Sequence, residues 1–150
     1  SDLNFSFLPF DRLNLTQLYN ILKLRQEIFV VEQTCPYLDA DGKDLESIHV
    51  IGAHKDNILV CYARILPPGL SYPAYASIGR VICHQDFRKM GYGISLMKTA
   101  IAKTKELYPD SSIKIGAQTY LKAFYESLGF TDIGEPYIED GIPHRIMVLV

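Results

Sequence analysis

No stretch of this sequence approaches the ~20 consecutive apolar residues that a bilayer-spanning helix requires. The opening residues Ser1-Asp2-Leu3-Asn4 lack the basic-then-apolar order of a secretory signal, so a cytoplasmic protein without a membrane partner is expected. Basic charge is not in surplus. Lys and Arg number 15 against 17 Asp and Glu, a formal net charge of −2. A chain that neutralises phosphates non-specifically needs the opposite balance, so no nucleic-acid partner is expected and any anion site must be local. Cysteine is scarce: Cys35, Cys61 and Cys83 form no CxxC and no Cys/His ligand spacing, which argues against a zinc centre or redox pair. Their odd number suits a reducing compartment. The stretch Asp39-Ala40-Asp41-Gly42-Lys43-Asp44 starts like a calcium loop, but its glycine comes too early and Val50 stands where the glutamate belongs. No metal is expected. Low-complexity segments, charge blocks and repeats are absent as well.

What is present describes one domain. The 150 residues, 48% hydrophobic and 21% charged, suit a single globular unit able to bury roughly 70% of its unfolded surface. Residues 3–8 alternate as a strand. Asn14 or Thr16 caps a helix with Leu15, Leu18, Tyr19 and Leu22 on its apolar face, running to about Val30. Residues 32–46, rich in carboxylates, read as a solvated loop with at most one helical turn. Strands at 48–54 and 58–66 flank the turn Lys55-Asp56-Asn57. A strand at 76–83, apolar on both faces, should be central. A helix spans 92–107, a short strand 113–118, and Thr119 caps a helix carrying Leu121, Phe124, Tyr125 and Leu128 that Gly129 stops. Ile146 to Val150 reads as the last strand. The order implies an α/β domain with a mixed sheet and helices on both faces.

The most informative junction is Cys83-His84-Gln85-Asp86-Phe87-Arg88-Lys89-Met90-Gly91-Tyr92-Gly93. It carries a buried strand into a long amphipathic helix. A helix start presents free N–H groups and the positive end of the dipole, and so suits a phosphate. Glycines at 91 and 93 allow close backbone approach, and Arg88 and Lys89 add charge. There is no Gly-Lys-Ser/Thr, so this is not a P-loop, and it lacks the glycine spacing and early position of a dinucleotide fingerprint. Taken alone, the loop fits a tight turn with solvated cations equally well.

A second segment, Phe124-Tyr125-Glu126-Ser127-Leu128-Gly129-Phe130, changes the balance. With Arg88-x-x-Gly91-x-Gly93 it resembles the hallmarks of the GNAT family of acyl-CoA-dependent N-acetyltransferases. The segments 24–33, 35–39 and 134–144 resemble its ElaA-like branch in particular. The resemblance covers nearly the whole chain. It implies one GNAT domain over 1–150, with a mixed, mostly antiparallel sheet splayed between the strands at 76–83 and 113–118. It also implies acetyl-CoA as co-substrate. Its pantetheine arm would lie beside Val81, Ile82 and Cys83, its diphosphate on Arg88, Lys89, Met90, Gly91, Tyr92 and Gly93, with Phe124 adjoining. Tyr125 would face the thioester sulfur. Dimers are common among members.

The chemistry so implied is acetyl transfer to a primary amine by direct attack in a ternary complex, with Tyr125 as the acid. A non-catalytic CoA-binding or sensor module of the same fold is the alternative. The proton acceptor stays open among Glu27, Glu32, Asp39, Asp41, Asp44, His49, Glu139 and His144, with Glu32 set beside Tyr125 as the catalytic choice. Arg25, Tyr37, Asp41, His49, Glu139 and His144 are the expected acceptor-side residues. Among these, the residues themselves favour Arg25 as a buried ion-pair partner that orients the acceptor loop, and His49 as a structural, hydrogen-bonded histidine. His144, after Pro143, is placed in a turn beside Glu139 and Asp140. Cys83, in an apolar strand, reads as packing.

Overall fold

The computed structural model describes residues 3–150. The first strand, β1 (Asn4–Pro9), leads through a short turn into α1 (Leu15–Arg25). Asn14 begins that helix with a reciprocal cap: its Oδ1 accepts from the Gln17 N–H at 2.7 Å, and Gln17 Oε1 accepts from the Asn14 N–H at 2.9 Å. Two otherwise orphaned donors are thereby satisfied. The helix buries a different face from the one expected. Leu15 and Tyr19 are exposed, whereas Ile21, Leu24, Arg25 and Ile28 point inward. Both stripes carry apolar residues at helical spacing. The buried one contains Arg25, whose partners lie in the loop that follows. Beyond Arg25 the helix widens into a π-helical segment, Gln26–Glu32.

A hairpin of β2 (Ile48–Ala53) and β3 (Leu59–Leu66) follows, then β4 (Ser77–Cys83), α2 (Tyr92–Leu107) and β5 (Ile113–Gln118). After β5 the chain makes a 3-10 turn, Thr119–Leu121, and only then α3 (Lys122–Ser127). Thr119 caps nothing; the residue before α3 is Leu121, with no side-chain bond. Gly129, at φ +100°, closes α3 as expected, and the Phe130 N–H reaches back to the Tyr125 carbonyl at 3.1 Å. The C-terminal part departs most from expectation. It is a long hairpin of β6 (Thr131–Glu139) and β7 (Ile142–Leu149), not a single late strand. His144 accordingly lies within β7 and not in a turn.

The strands form two antiparallel sheets, β1-β2-β3-β4 and β5-β7-β6. They touch through one parallel bridge, Ala76 with Ile113, where Ala76 N–H bonds Ser112 O at 3.1 Å and Lys114 N–H bonds Ala76 O at 2.9 Å. Beyond it β4 and β5 separate. α2 and α3 cover one face through Leu96, Met97, Ala100 and Tyr125 against Val50, Cys61, Ala63, Ile115 and Met147. α1 covers the other through Ile21, Leu24 and Ile28 against Ile51, Tyr62 and Ile82. Cys61 and Tyr62 thus face opposite cores, as strand alternation demands. Each buried aliphatic side chain contributes about 1.5–3 kcal/mol.

Candidate active site

The gap between β4 and β5 opens into a cleft of about 820 Å³. One wall is β4, from Ser77 to Cys83; the other is Ile115 to Gln118 of β5. Inside β4 the register slips: Arg64 pairs with Gly79 and Tyr62 with Ile82, leaving Arg80 and Val81 opposite Ala63 alone. Arg80 sits at φ +51°, costing about 1–2 kcal/mol for a residue with a Cβ. Such a bulge re-aims side chains and frees ladder N–H groups. Here it sends Arg80 to Asp39 and leaves Val81, Ile82 and Cys83 along the cleft.

At one end the cleft reaches Arg88, whose Nη1 and Nη2 hold both carboxylate oxygens of Glu32 at 2.6 and 2.5 Å. Lys89, Met90, Gly91, Tyr92 and Gly93 follow Arg88 into the start of α2, and Phe124 of α3 adjoins Gly93. Gly91, at φ +78°, is the N-cap, and no side chain caps the helix. Those first-turn N–H groups are therefore available to an anion. Gly93 packs between the Cys83 sulfur and the Phe124 ring. Cys83 is half-buried, and the Cys61 thiol meets it across β3 and β4; that bond and burial push Cys61 up while the same bond draws Cys83 down.

Tyr125 lines the cleft between the two sheets, edge-on to Phe124 and Phe130. Burial pushes its phenol up to about 12, so it is protonated at neutral pH. Among the described residues its hydroxyl bonds nothing, and the one sealed polar side-chain atom left unpartnered is Arg64 Nε. The Tyr125 hydroxyl is therefore open to the cleft.

The other end is built by the segment expected to be solvated. Asp39, Asp41 and Asp44 are matched by Arg25, Arg64 and Arg80. Arg25, with no exposed surface, bonds Asp39 at 2.7 Å and Asp44 at 2.6 Å. Arg64 bonds Asp41 at 2.6 Å and Asp44 at 3.0 Å; Arg80 bonds Asp39 at 2.7 Å. Burial pushes the Asp41 and Asp44 carboxyls up, but the guanidinium bonds and charges outweigh it and hold both below the ordinary range. Arg25 is thus sealed away from any substrate. His49 is sealed too, between the Tyr62 hydroxyl at 2.6 Å and the Asp44 carbonyl at 2.9 Å, and burial keeps it neutral. Glu32 is held well below the usual carboxylate range by its Arg88 bonds, which makes it a poor proton acceptor. None of the three therefore serves the acceptor side as expected, and Arg25 and His49 take the buried ion-pair and structural roles that their settings favoured.

Tyr37, Asp41, Glu139 and His144 do reach the cleft. The Tyr37 hydroxyl donates to Asp39 at 2.7 Å, and burial together with that carboxylate pushes it up. Three wall residues were not anticipated: Arg80, Tyr72 and Tyr137. The Tyr72 and Tyr137 hydroxyls meet over Gly116, where any Cβ would run into the Tyr137 oxygen. Only a glycine in β5, among otherwise alternating apolar residues, signalled that approach.

Residues 30–150 match the family described as Acetyltransferase (GNAT) domain. A UPF0039 protein of Synechocystis is 42% identical over 98% of this chain and 95% of its own. The protein ElaA of Escherichia coli is 43% identical over 88% of this chain and 86% of its own. The crystal structure of that ElaA superposes with a TM-score of 0.90, at 39% identity, covering 99% of both chains. An acyl-CoA N-acyltransferase from Pseudomonas aeruginosa superposes at 0.89, with 36% identity, over 98% of this chain and 99% of its own. The family model spans most of the chain and these relatives are well over 30% identical across nearly all of it, so the chain belongs to the GNAT family of acetyltransferases.

Proposed function

We propose that the protein transfers an acetyl group from acetyl-CoA to a primary amine by direct attack within a ternary complex. The observation that carries this reading is the Tyr125 hydroxyl, open and unpartnered where the two sheets part. The Pseudomonas relative, named as an acyl-CoA N-acyltransferase, supports the donor class. The residues present fit a coenzyme A thioester: a free helix start with Arg88 for the diphosphate, the unpaired edge of β4 for an amide-bearing arm, and a phenol for the sulfur.

When bound, the thioester supplies an activated acyl group. Where the bulge at Arg80 and Val81 interrupts the β3–β4 ladder, a freed backbone N–H would serve the carbonyl oxygen, a contribution often worth about 3 kcal/mol. Tyr125 gives its proton to the departing sulfur. A phenol near 12 is a weak acid, yet the burial that raises it also raises the basicity of a thiolate expelled beside it. An alkyl amine near the lysine value of about 10.4 needs about 4.6 kcal/mol to be neutral at pH 7, so a proton acceptor is required.

Free-thiol release from acetyl-CoA, followed across a panel of primary amines, tests the reading. Tyr125→Phe is expected to lower kcat about 100-fold while CoA affinity stays within about twofold. An unchanged kcat would remove Tyr125 from the chemistry. CoA binding without amine-dependent thiol release would instead favour a non-catalytic CoA-binding module.

A further inference from the structure

The proton acceptor is not among the carboxylates that crowd the sequence between 32 and 46. Glu32 is spent on Arg88, and Asp39, Asp41 and Asp44 are spent on three arginines. The Tyr37 hydroxyl is committed to Asp39, and both nitrogens of His49 are bonded inside the core. One titratable nitrogen at the acceptor end is uncommitted. We propose that His144 removes the proton from the acceptor's ammonium group, which it holds together with Glu139. The inference rests on the acyl-transfer reading above.

One hydrogen bond and one ring contact fix the orientation of His144. His144 Nδ1 lies 2.7 Å from the Ile142 carbonyl oxygen, which can only accept, so Nδ1 carries the hydrogen. In the neutral ring Nε2 then holds a lone pair. Tyr137 stacks on the imidazole with centroids 5.2 Å apart and planes at 25°, locking its tilt. Tyr137 is held in turn by the Tyr72 hydroxyl over Gly116. Nε2 makes no hydrogen bond, and it is not among the sealed unpartnered atoms, so it faces open space; the ring lines the same cleft as Tyr125.

The charges around the ring have one sign. Glu139 Oε2 of β6 stands 3.8 Å from Nε2. Asp140 follows in the turn, its carbonyl taking the Cys35 thiol at 3.5 Å. From β5 the register partner is the neutral Gln118, which exchanges bonds with Gln33. Arg145, next along β7, pairs with Asp132 on the opposite side of the strand. Among the described residues no cation pairs with Glu139 or Asp140. An ammonium placed there meets a carboxylate and a lone pair, and the imidazolium formed after proton transfer keeps Glu139 as its counter-charge.

The protons and electrons balance. One ammonium proton goes to Nε2. The freed nitrogen pair forms the N–C bond at the thioester carbonyl, the C–S pair leaves with sulfur, and sulfur takes the Tyr125 proton. The second nitrogen proton makes up the one Tyr125 gave, and His144 releases its own to solvent. One ammonium ion and one thioester yield one amide, one thiol and one proton.

His144→Asn keeps a donor for the Ile142 carbonyl and removes the lone pair at the ε position. In the thiol-release assay it is expected to cut kcat/KM about 100-fold with alkylamines and to abolish the acid limb of the pH profile. With a weakly basic amine such as trifluoroethylamine, already neutral at the assay pH, the loss is expected to shrink to a few-fold. CoA affinity should not change. If H144N keeps both rate and acid limb while the wild type transfers acetyl to amines, the proposal is overturned and the transferase reading stands. If the wild type transfers to no amine, that reading fails and takes the proposal with it. Should H144N not fold, nitrogen-15 spectra of wild-type His144 decide: a protonated Nε2 in the neutral ring overturns the assignment, and an unprotonated one supports it.

Discussion

Replacing Arg25 by methionine probes what holds the acceptor wall together. The guanidinium gives Nε to Asp39 at 2.7 Å, Nη1 to Asp44 at 2.6 Å and Nη2 to the Asp39 carbonyl at 3.0 Å, entirely out of solvent. Methionine fills most of the same volume, so the loss is ionic and not a cavity. Removing one partner of a buried ion pair costs about 3–5 kcal/mol because the other is left uncompensated. Here Asp39 keeps Arg80 and Asp44 keeps Arg64, which places Arg25→Met at the low end, about 3 kcal/mol. At about 2–4 °C per kcal/mol for a chain of this size, Tm should fall by roughly 6–12 °C. The pH dependence has a definite sign. Asp44 titrates lower in the folded protein than in the unfolded chain, so its contribution is complete above about pH 4 and drains away as pH falls further. Without Arg25 that depression weakens, and the acid slope of stability should flatten. Urea unfolding at neutral pH and at several acid pH values measures both effects. A loss below about 1 kcal/mol, or an unchanged acid slope, would refute the claim that this network carries the wall.

Two further substitutions probe the other end and the core. Glu32→Gln releases Arg88 from an exposed pair, and CoA is expected to bind about two- to fivefold tighter by calorimetry, with steeper salt dependence. Weaker binding would mean that Glu32 positions Arg88 instead of competing for it. Gly52→Ala puts a Cβ 2.5 Å from the Cys61 sulfur and 3.0 Å from the Phe5 ring, so it should cost about 1–3 kcal/mol in urea unfolding and spare catalysis.

What the sequence disclosed follows from which forces act locally. Asn14 and Gly129 work through their own backbone neighbours, and both were legible as caps. The glycine loop and Tyr125 were singled out by their combined resemblance to family hallmarks, since the loop's spacing alone fits a tight turn equally well. The π-helical turn at 26–32 was not, since its residues continue an ordinary helical pattern. β6 was hidden because an edge strand with one register slip, Gly134 and Pro136 carries almost no buried apolar residue to mark its period. The acidic loop misled most. Its aspartates look solvated until Arg25, Arg64 and Arg80, each from a different element, converge on them. Burial of charge depends on partners far away in the chain, and one sequence does not pair them. His144 was picked out as a residue but misplaced, because its meaning depends on a hairpin carbonyl two residues earlier.

The single bridge at Ala76 and Ile113 has a mechanical consequence. Two short sheets meet there like the jaws of a clothes peg, with the edge strands β4 and β5 lining the open length. An extended chain bearing amides, laid into that wedge, acts as a missing rung and makes one continuous seven-stranded surface. If a thioester seats there as proposed, amide exchange should slow on both sides of the wedge at once, far from the helix start of α2.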